Sequence, residues 1–179
     1  MAPRAPAPRV DLQPPRAENQ DEFIRAMRAS RALHRPWISM PSTPEAYASY
    51  IERSAGPATA FYLVRVRADG ALAGFFNLSE IVRGKLQSAF LGFGAVAGFE
   101  GRGLMSEGME LLLRHAFTTH RLHRVEANIQ PGNAASAALV RRAGFTLEGF
   151  SPRYLKVGGR WCDHERWALR SESWKARRR

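Results

Sequence analysis

The 179 residues carry 45% hydrophobic and 24% charged side chains, the balance of one soluble globular domain large enough to bury a core without staples. A single cysteine, Cys162, excludes an intrachain disulfide framework and a multi-cysteine metal site, and no apolar stretch reaches membrane-spanning length. The formal charge of +11 favours acidic surfaces, nucleic acid or polyanionic ligands, yet no zinc-finger, basic-zipper or RNA-binding-sheet motif accompanies it.

Residues 1–9 are proline-rich, without periodicity or an apolar targeting core, and read as a tail. Val10 to Gln13 alternates like a short strand, stopped by Pro14 and Pro15. Glu18 to Arg35 reads as one helix, with Phe23, Ala26, Met27, Ser30, Leu33 and His34 on or near one face and Asn19 and Glu22 spaced as a capping box. Pro44, near the first helical position, opens a second helix carrying Tyr47, Tyr50 and Ile51. The stretches 61–67, 72–78 and 88–96 are β-branched and aromatic, and Asp69-Gly70 is a hairpin signal, so an antiparallel meander is expected. The pattern then changes: a helix over 102–117, a strand over 124–129, a helix from Ala134 to Arg142 capped by Asn133 and stopped by Gly144, a strand over 145–150, and a closing pair, 154–157 and 161–169, around Gly158-Gly159. Lys175 to Arg179 is a basic tail. One domain over 10–172 between tails 1–9 and 173–179 follows, with a mixed, mostly antiparallel central sheet flanked by helices.

Gly98, Gly101 and Gly103 stand between the strand 88–96 and the helix over 102–117. Glycine permits a sharp turn that exposes backbone amides, and the first amides of a helix have no partner within it. Such a loop suits a phosphate or pyrophosphate; the same spacing also suits a plain glycine-rich turn before a surface helix. No Lys-Ser/Thr pair follows the glycines and the spacing is not the dinucleotide fingerprint. Were the strands 88–96 and 124–129 neighbours, their carboxyl ends would present two helix starts side by side, where ligands of open α/β sheets bind.

The run Gly98-x-x-Gly101-x-Gly103 after a strand resembles the acetyl-CoA signature of the Gcn5-related N-acetyltransferase superfamily, with Gly98 in place of its usual long polar residue. Asn128-x-x-Pro131-x-Asn133-x-x-Ser136 and Ala143-Gly144-Phe145-x-x-Glu148-Gly149 are equally typical. The runs 101–107, 122–125 and Tyr154-Leu155-x-x-x-Gly159-x-Trp161-x-Asp163-His164 resemble the branch that acetylates the N-terminal alanine of ribosomal proteins. The resemblance covers roughly residues 8–172 and implies the acyl-CoA N-acyltransferase fold, acetyl-CoA as cosubstrate, no metal, a cytoplasmic location, a monomer or homodimer, and a protein N-terminus as acceptor. The high positive charge would make sense if that N-terminus is met on a ribosomal particle, close to RNA.

For the site, the resemblance implies that Gly98, Gly101, Arg102, Gly103 and Leu104 hold the pyrophosphate. Phe93, Gly94, Ala95 and Val96 would pair with the pantetheine arm, an amide of residues 94–96 would serve the oxyanion, and Asn133 and Ser136 would contact the same arm. Tyr154 is the general-acid candidate and Glu148 the base candidate, with Glu80 ranked below it. Trp37, Glu80, Trp161 and Asp163 are the substrate-binding candidates. Each has a plainer alternative: core packing for Phe93 and Val96, a helix cap for Asn133, a solvated strand carboxylate for Glu148, a packed aromatic for Tyr154, a hairpin tie for Asp163, a satisfied structural histidine for His164. Cys162 and Trp161 alternate, so one of them is expected in the core. A small amine is the rival acceptor, and Glu45, Glu52, Glu80, Glu148 and Asp163 are the carboxylates that could line an acidic pocket for a polyamine. An inactive cofactor-binding member and a non-catalytic nucleic-acid-binding protein are further alternatives.

Overall fold

The computed structural model describes residues 7–177. In chain order the elements are β1 (Val10–Gln13), a 3-10 turn (Ala17–Asn19), α1 (Gln20–Ala29), α2 (Arg31–His34), α3 (Pro44–Ser54), β2 (Ala60–Val66), β3 (Leu72–Val82), β4 (Ser88–Ala95), α4 (Leu104–Arg114), β5 (Arg124–Ile129), α5 (Ala134–Ala143), β6 (Thr146–Val157), β7 (Arg160–Arg170) and α6 (Ser171–Ala176). They build one seven-stranded sheet in the order β1-β2-β3-β4-β5-β7-β6. β2 to β4 form the expected antiparallel meander, β1 adds to its edge antiparallel to β2, and β4 and β5 are the parallel pair. β7 lies between β5 and β6, antiparallel to both.

Strand alternation splits the core into two layers. Val64, Phe76, Leu91, Val125 and Ala127 face Met109, Leu112 and Leu113 of α4 and Leu139 and Val140 of α5. Leu63 and Phe75 face Phe23 and Met27 of α1 and Tyr47 and Tyr50 of α3. The caps read from the sequence hold α3 and α5: the Thr43 hydroxyl accepts from the Ala46 amide at 3.3 Å with Pro44 opening the helix, and Asn133 Oδ1 accepts from the Ser136 amide at 3.2 Å. Gly144 closes α5 at φ +93°.

Several boundaries differ from the sequence reading. The helix over 18–35 breaks at Ser30, whose hydroxyl donates back to the Ala26 carbonyl at 2.7 Å and accepts from the Ala97 amide at 2.9 Å. The helix over 102–117 begins at Leu104 and passes into a π-turn, His115–Thr119. The segments 145–150 and 154–157 are one strand with an irregularity between Ser151 and Leu155. Asn19 precedes α1 without capping it; its side-chain oxygen accepts from the Arg16 amide instead. Neither Trp161 nor Cys162 enters the core, because the β6–β7 hairpin extends beyond it.

Neither tail boundary holds as drawn. Arg9 is bonded to α4, while residues 1–6 lie outside the described part. At the other end α6 folds back, burying Trp174 against Phe117 at 5.5 Å between ring centres; residues 178–179 lie outside the described part. Among the described residues no helix is long and apolar enough to cross a membrane, and no group of three or more His, Cys, Asp or Glu could hold a metal ion.

Candidate active site

Pairing between β4 and β5 stops at Phe90↔Glu126, although β4 runs on to Ala95 and β5 to Ile129. Beyond that pair the strands part. One helical segment holds β4 on its side of the gap: Ser30 takes the Ala97 amide, and His34 Nε2 lies 2.8 Å from the Ala95 carbonyl. A carbonyl only accepts, so His34 Nε2 carries the proton.

The direction of each β4 backbone group follows from one bond. The Val96 amide donates to the Ala73 carbonyl of the meander at 2.8 Å. Backbone groups alternate sides along a strand, so Gly94 and Gly92 also turn toward β3, and Ala95, Phe93 and Leu91 turn toward the gap. The oxyanion donor expected from residues 94–96 therefore narrows to Ala95, because the Val96 amide is committed to the sheet.

Two helix starts flank the gap. At α4 the Ser106 and Glu107 amides bond the Gly103 carbonyl at 3.1 Å, leaving the Leu104 and Met105 amides ahead of the first helical bonds. Gly98, at φ +88°, and Gly103, at φ +79°, both adopt the left-handed conformation that L side chains rarely take. This explains a glycine at 98 where the related signature has a long side chain: the backbone requires it, with open space around it. At α5 the Asn133 side chain spends its oxygen on the cap, which leaves its amide nitrogen for a ligand.

A cleft of about 680 Å³ occupies the gap. Of the cofactor candidates, Phe93, Gly94, Ala95, Gly101, Gly103, Asn133 and Ser136 line it, and so does Trp37. The Trp37 carbonyl accepts from Gln130 Nε2 at 2.9 Å, which ties it to the end of β5. Val96 lies instead in the core, and Arg102 and Leu104 border a neighbouring hollow of about 510 Å³ with Arg9, Arg67 and Phe99. Gly98 belongs to neither lining. Leu33 and His34 of α2 and Ile38 beside Trp37 also line the cleft, as do three residues that were not among the site candidates: Asn128 of β5, Arg142 of α5 and His164 of β7.

The candidates for chemistry and substrate separate. Glu148 is outside the lining, and its carboxylate is forked by Arg124 Nη1, at 3.0 Å, and Nη2. Those hydrogen bonds hold it below the usual carboxylate range, so it is a weak base committed to a cation. Glu80 is exposed on the far run of β3, and Trp161 is 62% exposed on the hairpin; neither lines the cleft. Asp163 ties the hairpin: its Oδ1 accepts from the Arg153 amide at 2.8 Å, fixing the irregularity that carries Tyr154. Tyr154 is not among the lining residues; its ring lies edge-on to that of His164 at 6.3 Å between centres, and His164 lines the cleft.

A split parallel pair, a glycine loop and two helix starts thus stand together at one cleft. A family profile described as an acetyltransferase (GNAT) domain matches residues 9–146. The chain belongs to the GNAT acetyltransferase family. This GNAT chain is 36% identical over 103 residues to the [ribosomal protein uS5]-alanine N-acetyltransferase of Escherichia coli, covering 58% of the chain and 53% of the relative. It spans about half the length of the curated relatives it matches. Its fold matches Mycobacterium smegmatis RimJ, solved in complex with CoA-disulfide, with a TM-score of 0.83 and 28% identity over 91% of the chain and 82% of that structure. Vibrio cholerae spermidine N-acetyltransferase, solved in complex with CoA and spermine, shares the fold with a TM-score of 0.80 at 16% identity, over 93% of the chain and 98% of that structure.

Proposed function

We propose that this GNAT chain transfers acetyl from acetyl-CoA to the α-amine of a protein N-terminus, with alanine the preferred first residue. The observation that carries the reading is the gap between β4 and β5, into which the Phe93 and Ala95 backbone groups turn. An extended arm bearing amides can pair with such an edge as a peptide adds to a strand. The amides at the start of α4 suit its pyrophosphate, and Arg142 adds a cation on the α5 side.

When bound, acetyl-CoA supplies a thioester whose carbonyl carbon accepts the amine. The Ala95 amide is the donor for the carbonyl oxygen as it gains charge. Tyr154 is the acid for the departing sulfur, presented from the bulge that Asp163 pins. Trp37, a bulky member of the lining, is the side chain that would hold the acceptor's first residue to a small one.

Charge favours a protein N-terminus over a polyamine. Glu100, on the glycine loop, is the one carboxylate among the lining residues. Glu45, Glu52, Glu80, Glu148 and Asp163 all lie outside that lining. A polycation would meet no acidic wall, whereas an N-terminus brings a single ammonium. The 36% identity to an alanine N-acetyltransferase of a ribosomal protein supports the same choice. The net charge of +11 suits an encounter on an RNA-bearing particle, and salt-sensitive cosedimentation with ribosomal particles tests that part; no association at low salt would sink it.

Acetyl transfer to peptides differing in their first residue, beside spermidine, tests the acceptor. Preference for Ala-initiated peptides is expected. Activity on spermidine alone would overturn the acceptor while leaving acetyl transfer in place.

A further inference from the structure

One wall of the cleft carries two open hydrogen-bond acceptors. Asn128 Oδ1 is buried with no partner among the described residues. His164 is 3% exposed, and its Nδ1 lies 2.9 Å from the Cys162 carbonyl. A carbonyl cannot donate, so Nδ1 carries a proton, and in the neutral ring Nε2 then has the free lone pair. No hydrogen bond to Nε2 is made by the described residues. Both side chains line the cleft.

The register puts them together. Asn128 lies directly opposite Arg166 across β5 and β7, and His164 is two residues along β7 from Arg166. Alternation places Asn128 and His164 on one face of the sheet as diagonal neighbours, a relation that spans roughly 7–8 Å. Ala127 and Ile129, which flank Asn128, face the α4 and α5 core. The pair therefore looks to the opposite side of the sheet from the helix starts assigned to the pyrophosphate. An acceptor would approach from that second side and meet the thioester in the gap.

We infer that Asn128 and His164 form the seat of the acceptor's ammonium group, with Asn128 holding it and His164 Nε2 taking its proton. The inference rests on the acetyl-transfer reading above. A primary ammonium brings three N–H donors and no acceptor, the complement of an amide oxygen and an imidazole lone pair. A buried amide oxygen left unpaired is costly, and a donor ligand relieves that cost. His164 also fills the role that Glu148, locked to Arg124, does not.

The protons balance. The ammonium gives one proton to His164 Nε2 and becomes a neutral amine. That amine forms the C–N bond as the C–S bond breaks. Tyr154 gives its hydroxyl proton to the departing sulfur and regains one from the nitrogen that has become an amide. His164 returns its proton to solvent, so one ammonium and one thioester yield one amide, one thiol and one released proton.

Two measurements on the full chain test this. Calorimetry without acetyl-CoA compares an Ala-initiated hexapeptide with its Nα-acetylated form. Wild type is expected to bind the free amine about tenfold more tightly, and Asn128→Ala to lose that preference. A preference unchanged in Asn128→Ala, or absent in wild type, overturns the holding role. Turnover of His164→Gln is then measured with the same peptide and with an aminooxyacetyl-initiated peptide, whose terminal nitrogen is already neutral at pH 7. A fall of about 100-fold on the first and less than about fivefold on the second is expected. Equal losses on both overturn His164 as the base. His164→Asn, which can still donate to the Cys162 carbonyl, replaces the Gln variant if that variant fails to fold. A wild-type chain that acetylates no amine would overturn the underlying acetyl-transfer reading instead.

Discussion

Arg9 holds both carboxylate oxygens of Glu107, its backbone amide donating to Oε2 and its Nε to Oε1, each at 2.7 Å. The same guanidinium donates through Nη2 to the Arg102 carbonyl at 2.8 Å. The chain leading into β1 is thereby stapled to the first turn of α4 and to the glycine loop. The Arg9 side chain is 57% exposed, so the ion pair itself contributes no more than about 1 kcal/mol. Its larger effect is on loop position. Arg9→Ala is expected to raise the acetyl-CoA Kd about tenfold by calorimetry while the melting temperature changes little. An unchanged Kd would remove the staple from the account of cofactor binding.

Tyr154 and Asp163 should behave as a pair. Tyr154→Phe removes the donor and should lower kcat about 100-fold with a smaller change in KM. Asp163→Ala frees the bulge and should cause a similar loss. Asp163→Asn keeps an Oδ1 acceptor for the Arg153 amide and should retain most of the turnover. If the Asn and Ala variants fall equally, Asp163 acts through its charge and not by pinning the bulge.

Glu148 carries the opposite expectation. Glu148→Gln loses the ion pair with Arg124 at a half-exposed site, so stability should fall by less than about 1 kcal/mol in urea melts. Turnover should stay within about threefold of wild type, against the 100-fold or so that loss of a general base produces. A loss of that larger size would restore Glu148 as the base.

His34 makes stability depend on pH. Burial holds its pKa below 6.5, outweighing the raising effect of the Ala95 bond. Below about pH 6.5 the unfolded chain takes up a proton at this side chain that the folded protein refuses. Stability is therefore full above that pH and falls as the pH drops toward the lower folded value. His34→Gln, which can still donate to the Ala95 carbonyl, should flatten the decline in melting temperature between pH 7 and 5.5. His120, lowered by burial and then by Arg83 and His115, leaves part of the slope in place. An identical slope in the variant would show that His34 does not contribute.

What was legible in the sequence is what is local. The Asn133 cap bonds a residue three positions on, the loop glycines are set by their own backbone angles, and both could be read from spacing. The meander was legible for the same reason, because its strands follow one another. The wall of the cleft was not. β7 inserts between β5 and β6, so Arg124 reaches Glu148 across it, and no spacing announces that capture. Ser30 and His34 read as ordinary members of a helical face until β4 is laid beside them. Their polar atoms then hold Ala97 and Ala95, more than 60 residues away in the chain. Asn128 and His164 share a face only through the β5–β7 register, which depends on how a distant hairpin folds back.

The most direct test of the central claim is an NMR titration of the ¹⁵N-labelled chain with acetyl-CoA. The largest amide shifts should fall on Phe93 and Ala95, on residues 101–105 and on Ser136, with Gly94 and Val96 moving less because their amides face β3. Shifts confined to Arg67, Ala68 and Asp69, around the neighbouring hollow, with Phe93 and Ala95 unmoved, would contradict cofactor binding in the β4–β5 gap.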